Sequence, residues 1–127
     1  MTLGKSQMKN YFTTEELKCP CCGACEMNED FLFTLNHARR TLDFPLIVES
    51  GFRCKKHNRE VGSTSTNHLH GKAVDVRLRD PLQKFKTVQA FMLSGMTGIG
   101  IGKTYIHADT NHEKPTLWIY SNLPTEK

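Results

Sequence analysis

The sequence predicts an α+β domain with a small, mostly antiparallel sheet and flanking helices. Three observations support this prediction. Two segments repeat apolar residues at helical spacing, short apolar or alternating segments lie between and after them, and turn residues separate the elements. A chain of 127 residues suits one hydrophobic core, so we expect a single domain over 1–127, with 1–27 as a polar lead-in segment that carries a cysteine cluster.

Composition and charge exclude several classes of protein. Hydrophobic residues make up 38% and charged residues 24%, values typical of globular domains rather than disordered chains, collagen or coiled coils. No apolar run approaches the ~20 residues of a membrane span. The first ten residues are polar, so we expect no signal peptide and synthesis in the cytoplasm. The net charge of +4 comes from scattered basic residues, which argues against a nucleic-acid partner.

The clearest helix signal lies between Asn28 and Pro45. Asn28 is a typical N-cap residue, and the residue before a proline is disfavoured in a helix. The apolar residues of this segment recur at helical spacing: Phe31, Leu35, Ala38 and Leu42. A short helix is also predicted after Thr13, where Glu16 completes a capping box, and another over 54–61.

A second long helix is predicted from Asp80 to Gly95. Asp80 is an N-cap residue, Pro81 suits the first helical position, and Gly95 ends the helix. Its predicted apolar face consists of Leu82, Phe85, Val88 and Met92. Short strands complete the domain, at 46–48 (buried), 73–78, 98–102, 105–109 and 117–120.

Three residues on these elements form a candidate metal site on one face of the sheet. Asp75 lies opposite the apolar face of strand 73–78, and His107 alternates with apolar neighbours on strand 105–109. If the two strands pair, both side chains share a face, and His68 can fold over them from a polar loop. Two imidazoles and one carboxylate leave a fourth position for water, as in catalytic zinc sites. A hydrogen-bonded group without metal is the alternative.

The cysteines suggest a second cluster. Four of the five lie within seven residues, and Cys19 and Cys22 have C-x-x-C spacing. The odd number argues against a secreted disulfide framework. With Cys25 and Cys54, these residues form a candidate structural metal site that would attach the lead-in segment to the core. Unrelated reduced thiols are the alternative.

Several motifs together resemble a known family. In chain order they are Ser50-Gly51-Phe52-Arg53, His57-Asn58, the run Thr-Asn-His-Leu-His-Gly-Lys-Ala-Val-Asp over 66–75, Gly98-Ile99-Gly100-Ile101 and Ile106-His107-Ala108-Asp109. They resemble the zinc D-Ala-D-Ala carboxypeptidases and related peptidoglycan L,D- and D,D-peptidases (peptidase family M15), and are similar to its small single-domain members, often phage-encoded. The resemblance covers about residues 12–120.

The resemblance implies a Zn²⁺-dependent metallopeptidase. It would hydrolyse peptidoglycan stem peptides next to D-alanine, as a carboxypeptidase or an endopeptidase, and would act at the cell wall as a monomer, encoded by a bacteriophage. His68, Asp75 and His107 match the family's zinc ligands. Arg53 matches the arginine that contacts the substrate or the developing oxyanion, a role suited to a guanidinium. A surface role for Arg53 is the alternative.

The chain departs from the family pattern at the position expected for the general base. Several branches have an acidic residue three positions before the last zinc histidine, where this chain has Thr104. Asp109 is the first candidate base, and its alternative role is to orient His107 through a hydrogen bond. His70 and His112 are reserve candidates. The missing acid also favours an alternative function, a non-catalytic zinc-containing module that binds the cell wall or serves in phage structure.

Overall fold

The computed structural model describes residues 9–63 and 65–120 of the chain. The elements in chain order are α1 (Thr14–Leu17), α2 (Glu29–Arg40), β1 (Ile47–Ser50), α3 (Lys55–Glu60), β2 (Ala73–Arg77), α4 (Pro81–Ser94), β3 (Gly98–Ile101), β4 (Tyr105–Asp109) and β5 (Thr116–Ile119). Helices flank a five-stranded sheet, so the α+β class is confirmed. The prediction that no signal peptide is present used the first ten residues, and 1–8 lie outside the described residues.

The sheet is mixed, with strand order β1-β2-β4-β3-β5. Three neighbouring pairs are antiparallel, and β5 runs parallel to β3. The parallel pair follows from the short connection after β4. Asp109, the last residue of β4, lies opposite Gly98, and β5 starts beside the same glycine at Thr116. The chain therefore re-enters the sheet at the end where β3 begins.

One face of the sheet packs against α2 and α4 to form the core. The central strands supply fully buried aliphatic residues, among them Val74, Val76 and Ile106. The apolar face predicted for α2 is buried, with Phe31 and Leu35 completely inaccessible. Burial of each such side chain contributes about 1.5–3 kcal/mol, so this layer fixes the strands whose opposite face carries polar residues.

The prediction of the apolar face of α4 is wrong for three of its four residues, whereas Val88 is half-buried and packs against the core. Leu82, Phe85 and Met92 are 60%, 68% and 54% exposed. The helix instead buries Thr87, Ala90 and Phe91, which lie at i, i+3 and i+4. Apolar side chains project from several sides of this helix, and the side that carries Thr87 and Ala90 packs on the core.

No helix among the described residues is long and apolar enough to cross a membrane.

Strand β1 also differs from the prediction of a buried strand. Among the described residues it is an edge strand that pairs with β2 alone, and Ile47 is 49% exposed. The buried residue of this segment is Leu46, which precedes the strand. Alternation along an edge strand exposes one side to solvent, which a continuous run of three aliphatic residues does not reveal.

The lead-in segment is attached to the core beside the end of β1. The capping box at α1 is present, because the Thr13 side chain accepts from the Glu16 N–H and Glu16 accepts from the Thr13 N–H. The Phe52 N–H donates to the Leu17 carbonyl at 2.8 Å. A Cβ atom at Gly51 would lie 2.7 Å from that carbonyl oxygen, so only glycine permits this approach.

Candidate metal centre and active site

The pairing of β2 with β4 brings two predicted ligands together. Asp75 and His107 are directly opposite in the register, and their strand neighbours face the core. Both side chains therefore project from the other face of the sheet. The Asp75 Oδ1 atom lies 2.9 Å from His107 Nδ1. This contact places a carboxylate and an imidazole at the centre of the exposed side of the sheet.

The loop before β2 brings His68 to the same point. His68 is buried, and its Nε2 atom lies 3.6 Å from Asp75 Oδ1. Gly71 turns the loop with φ +67°, and its carbonyl accepts from the Asn28 N–H at 2.9 Å. One ligand atom from each of His68, Asp75 and His107 lies within 4.8 Å of the others.

In each imidazole the ring nitrogen that faces away from Asp75 has an acceptor of its own. His68 Nδ1 lies 2.7 Å from the Gly51 carbonyl, which can only accept, so Nδ1 carries the proton and Nε2 faces Asp75. His107 Nε2 lies 2.7 Å from Asp109 Oδ2 and donates to it, while the other nitrogen, Nδ1, faces Asp75. Metal-ligating histidines typically bind through one nitrogen while the other donates to such an acceptor. The donor set therefore fits a zinc ion.

Both His107 and Asp75 have pKa values shifted from those of an exposed histidine and aspartate. Burial lowers the pKa of His107, but hydrogen bonds to Asp109 and Asp75 and their charges raise it to about 9. Burial raises the pKa of Asp75, but hydrogen bonds from His107 and His68 and their charges hold it well below its usual range. In the metal-free protein the two carboxylates therefore favour the protonated imidazole of His107, and metal binding would replace the proton on Nδ1.

Asp109 is fully buried, and both of its carboxylate oxygens accept hydrogen bonds. Its Oδ1 accepts from His112 Nδ1 at 2.8 Å and from the Asn111 N–H at 3.0 Å. Its Oδ2 accepts from His107 and from Asn67 Nδ2 at 3.2 Å. Burial raises the pKa of Asp109, but the hydrogen bonds from His107 and His112 lower it below its usual value. This carboxylate is placed to orient two imidazoles.

Strand β3 leaves space for these side chains because it carries glycine where the site lies. Gly98 is opposite Asp109 and Gly100 is opposite His107. A Cβ atom at Gly98 would overlap the Asp109 carboxylate and the His112 ring. At Gly100 it would lie 2.6 Å from the indole nitrogen of Trp118. The Gly-Ile-Gly-Ile motif therefore serves the site as well as the core.

Arg53 is held at the wall of the site by three polar contacts. Its Nε donates to Ser50 Oγ at 3.1 Å and its Nη1 to Asn58 Oδ1 at 3.3 Å. Its Nη2 lies 3.4 Å from Asp75 Oδ2. The side chain is only 14% exposed, so the guanidinium points to the metal site rather than lying over the surface.

The three candidate ligands line a pocket of about 570 Å³. Arg53 and His112 line it, while Thr104, His70 and Asp109 do not. An aromatic group that the sequence analysis missed also lines the pocket, namely Tyr105, Trp118 and Tyr120. The Trp118 ring centroid lies 5.5 Å from that of His107. The only signal was the Trp118–Tyr120 spacing of two residues, which places both on one side of an extended segment.

The cysteines form a second cluster, which differs by one residue from the predicted set. Ligand atoms within 4.8 Å of one another come from Cys19, Cys21, Cys22 and Cys54. Cys25 lies outside this group and packs against the core. The difference arises from a tight turn, in which the Gly23 N–H donates to the Cys19 carbonyl and the Cys19 N–H to the Ala24 carbonyl. This turn folds Cys21 back over Cys19.

The thiols of this cluster influence one another. Burial raises the pKa of Cys19, but N–H groups of Cys54, Cys21 and Cys22 lower it to about 6. A hydrogen bond with Cys54 raises the pKa of Cys21 to about 12. Negative charge on one sulfur therefore opposes ionisation of its neighbours when no cation is present.

Comparison with known proteins identifies a family. The family model described as Peptidase M15 matches residues 10–109, which include both clusters. His112 and Trp118 lie beyond the matched range. No curated protein matches the chain.

Proposed function

Because the chain belongs to the peptidase family M15, we propose that it is a zinc-dependent metallopeptidase that hydrolyses peptidoglycan stem peptides next to D-alanine. One observation carries the proposal. The pocket contains two imidazoles and a carboxylate in mutual contact, and both imidazoles have their outer nitrogen engaged by an acceptor. Two histidines and one carboxylate are a common ligand set of catalytic zinc sites, which keep one position for water or substrate.

We assign the metal ligands to His68 Nε2, Asp75 and His107 Nδ1. When bound, zinc supplies a Lewis acid for the scissile carbonyl and lowers the pKa of a coordinated water. Arg53 supplies a fixed cation beside this position, since its guanidinium contacts Asp75 and lines the pocket. It would bind the free carboxylate of a carboxypeptidase substrate, or a carbonyl oxygen in an endopeptidase substrate.

We assign proton transfer to His112 and a positioning role to Asp109. Thr104 has no basic group, and Asp109 is fully buried with both oxygens already engaged. His112 lines the pocket, and its Nδ1 donates to Asp109, which leaves Nε2 available to accept a proton from water. The same atom can then return the proton to the leaving amine.

Release of D-alanine tests this function. The substrate is a synthetic stem peptide that ends in D-Ala-D-Ala, and a cross-linked dimer of the peptide serves for endopeptidase activity. Chelated protein should be inactive and regain activity with zinc. His68→Ala should abolish hydrolysis, whereas His70→Ala, an exposed histidine of the same loop, should retain it.

Two results would overturn the proposal. Zinc-loaded protein that cleaves neither substrate is not a peptidase of this class, and binding of the peptide without cleavage supports the non-catalytic cell-wall module. Equal activity of His68→Ala and the wild type would remove the ligand assignment.

A further inference from the structure

The four-cysteine cluster lies apart from the three candidate ligands of the peptidase site. We propose that Cys19, Cys21, Cys22 and Cys54 bind a second, structural zinc ion, which fixes the segment that carries Gly51 and Arg53. This proposal does not depend on the peptidase activity, because it rests on the geometry of the four sulfur atoms and of the backbone around them.

The distances between sulfur atoms suit a shared tetrahedral ion. Cys19 Sγ lies 3.7 Å and Cys21 Sγ 3.4 Å from Cys54 Sγ. Zn–S bonds of about 2.3 Å in a tetrahedron separate the sulfurs by about 3.8 Å. All five cysteines are free thiols, so none of the four is used in a disulfide. Four sulfur ligands and a closed geometry favour zinc over hard cations.

Backbone N–H groups support the thiolate form of these ligands. The Cys54 N–H lies 3.5 Å from Cys19 Sγ, and the His57 N–H lies 3.4 Å from Cys54 Sγ. Such donors stabilise negative charge on sulfur and orient the ligands of a metal. Binding would release the thiol protons to solvent and would change no oxidation state, so no co-reactant is needed.

The bound ion would connect the lead-in segment to the peptidase site. Three of the cysteines follow α1, and the fourth directly follows Arg53. The Leu17 carbonyl already accepts from the Phe52 N–H, and the Gly51 carbonyl accepts from His68 Nδ1. An ion bound to Cys54 would therefore hold a segment that contacts one metal ligand through its backbone and Asp75 through Arg53.

Metal content of the purified, reduced protein tests this proposal. Wild type should contain two zinc ions per chain. Cys21→Ser and Cys54→Ser should each retain one, His68→Ala should lose the other, and Cys25→Ser is the matched control that should keep two. A thiol reagent should react with at most one thiol in the native protein, Cys25, and chelation should add the four thiols of the cluster.

Cobalt provides a readout that does not require the Cys54 variant to fold. Cobalt-loaded wild type should show strong sulfur-to-metal charge-transfer absorption. Cys21→Ser, at an exposed position, should lose most of it, and Cys25→Ser should not. A wild type with a single zinc that His68→Ala removes would overturn the proposal. Equal loss of zinc in Cys25→Ser and Cys21→Ser would also overturn it, as would a disulfide among the four cysteines.

Discussion

Arg53 offers a test of substrate class because its guanidinium is fixed by Ser50, Asn58 and Asp75. Lysine keeps the charge but loses the planar pair of donors. We expect Arg53→Lys to reduce kcat/KM by about 10- to 100-fold on a peptide with a free carboxyl terminus, which corresponds to roughly 1.4–2.7 kcal/mol. Wild type and variant should be compared on free-acid and amidated forms of one peptide.

The pattern of loss identifies the reaction. A loss confined to the free acid indicates a carboxypeptidase, and a similar loss on both peptides indicates an endopeptidase. Unchanged activity of Arg53→Lys on both peptides would contradict any role of Arg53 at the substrate.

His112 and Asp109 are expected to contribute to hydrolysis in different ways, which variants can separate. His112→Gln should lower kcat by roughly 10²–10⁴-fold with zinc content unchanged, because it removes the proton acceptor. Asp109→Asn should instead weaken zinc affinity about 10–100-fold, because it removes the acceptor that orients His107. Kinetics and zinc titration on both variants give the comparison. Asp109→Asn with normal affinity and greatly reduced turnover, beside an active His112→Gln, would make Asp109 the base.

The metal-free protein should show a pH dependence that originates at His107. Its pKa of about 9 in the folded protein exceeds the value of about 6.5 expected when unfolded. The resulting stabilisation is therefore complete below about pH 6.5 and is lost as the pH rises towards about 9. The lowered pKa of Asp75 acts only at acidic pH and does not alter this range.

Urea unfolding of chelated protein measures this effect. The stability difference between wild type and His107→Gln should shrink by up to about 3 kcal/mol between about pH 6.5 and about pH 9. The cysteine thiols contribute equally to the pH dependence of wild type and His107→Gln, so their contribution cancels in the difference. A difference that stays constant over this range would contradict the proposed charge state of His107.

The sequence identified the residues whose placement follows from strand alternation. Asp75 and His107 alternate with buried aliphatic residues, so their common face could be predicted once the strands were expected to pair. Cys21 and Trp118 could not be assigned in this way. Cys21 joins its cluster through a turn at Gly23, and Trp118 reaches the pocket through the position of β5. Neither the placement of Cys21 nor that of Trp118 follows from residue spacing along the chain.

Helix α4 shows the limit of prediction at the level of elements. Its ends were predictable from Asp80, Pro81 and Gly95, whose capping chemistry is local. The buried face was not predictable, because apolar residues lie on several sides and tertiary packing selected the side with Thr87 and Ala90. Local chemistry therefore set where the helix begins and ends, and packing set its rotation.

Two phenylalanines of α4 test this orientation. Phe91 is completely buried and Phe85 is 68% exposed. Phe91→Ala should lower the free energy of unfolding by about 3–5 kcal/mol, because it leaves a cavity in the core. Phe85→Ala should change it by less than about 0.5 kcal/mol. Denaturant unfolding of the two variants measures both values, and a larger loss for Phe85→Ala would mean that α4 is rotated as the sequence predicted.

At the scale of the whole molecule, the helical layer and the site occupy opposite faces of one sheet. The core side of β2 and β4 fixes the backbone, and the same strands present Asp75 and His107 on the other side. The mixed strand order could not be read from the sequence, since the parallel pairing of β5 depends on where the chain returns after β4. That return brings Trp118 beside His107 and closes one wall of the pocket.

The position of the metal in the folded protein tests the assignment of the peptidase site. Crystals of the zinc-loaded protein should be measured on both sides of the zinc absorption edge, and an anomalous difference map should be calculated. We predict a peak bounded by His68 Nε2, the Asp75 carboxylate and His107 Nδ1. The absence of a peak there, in crystals grown from protein that hydrolyses the stem peptide, would show that these three residues do not bind the catalytic zinc.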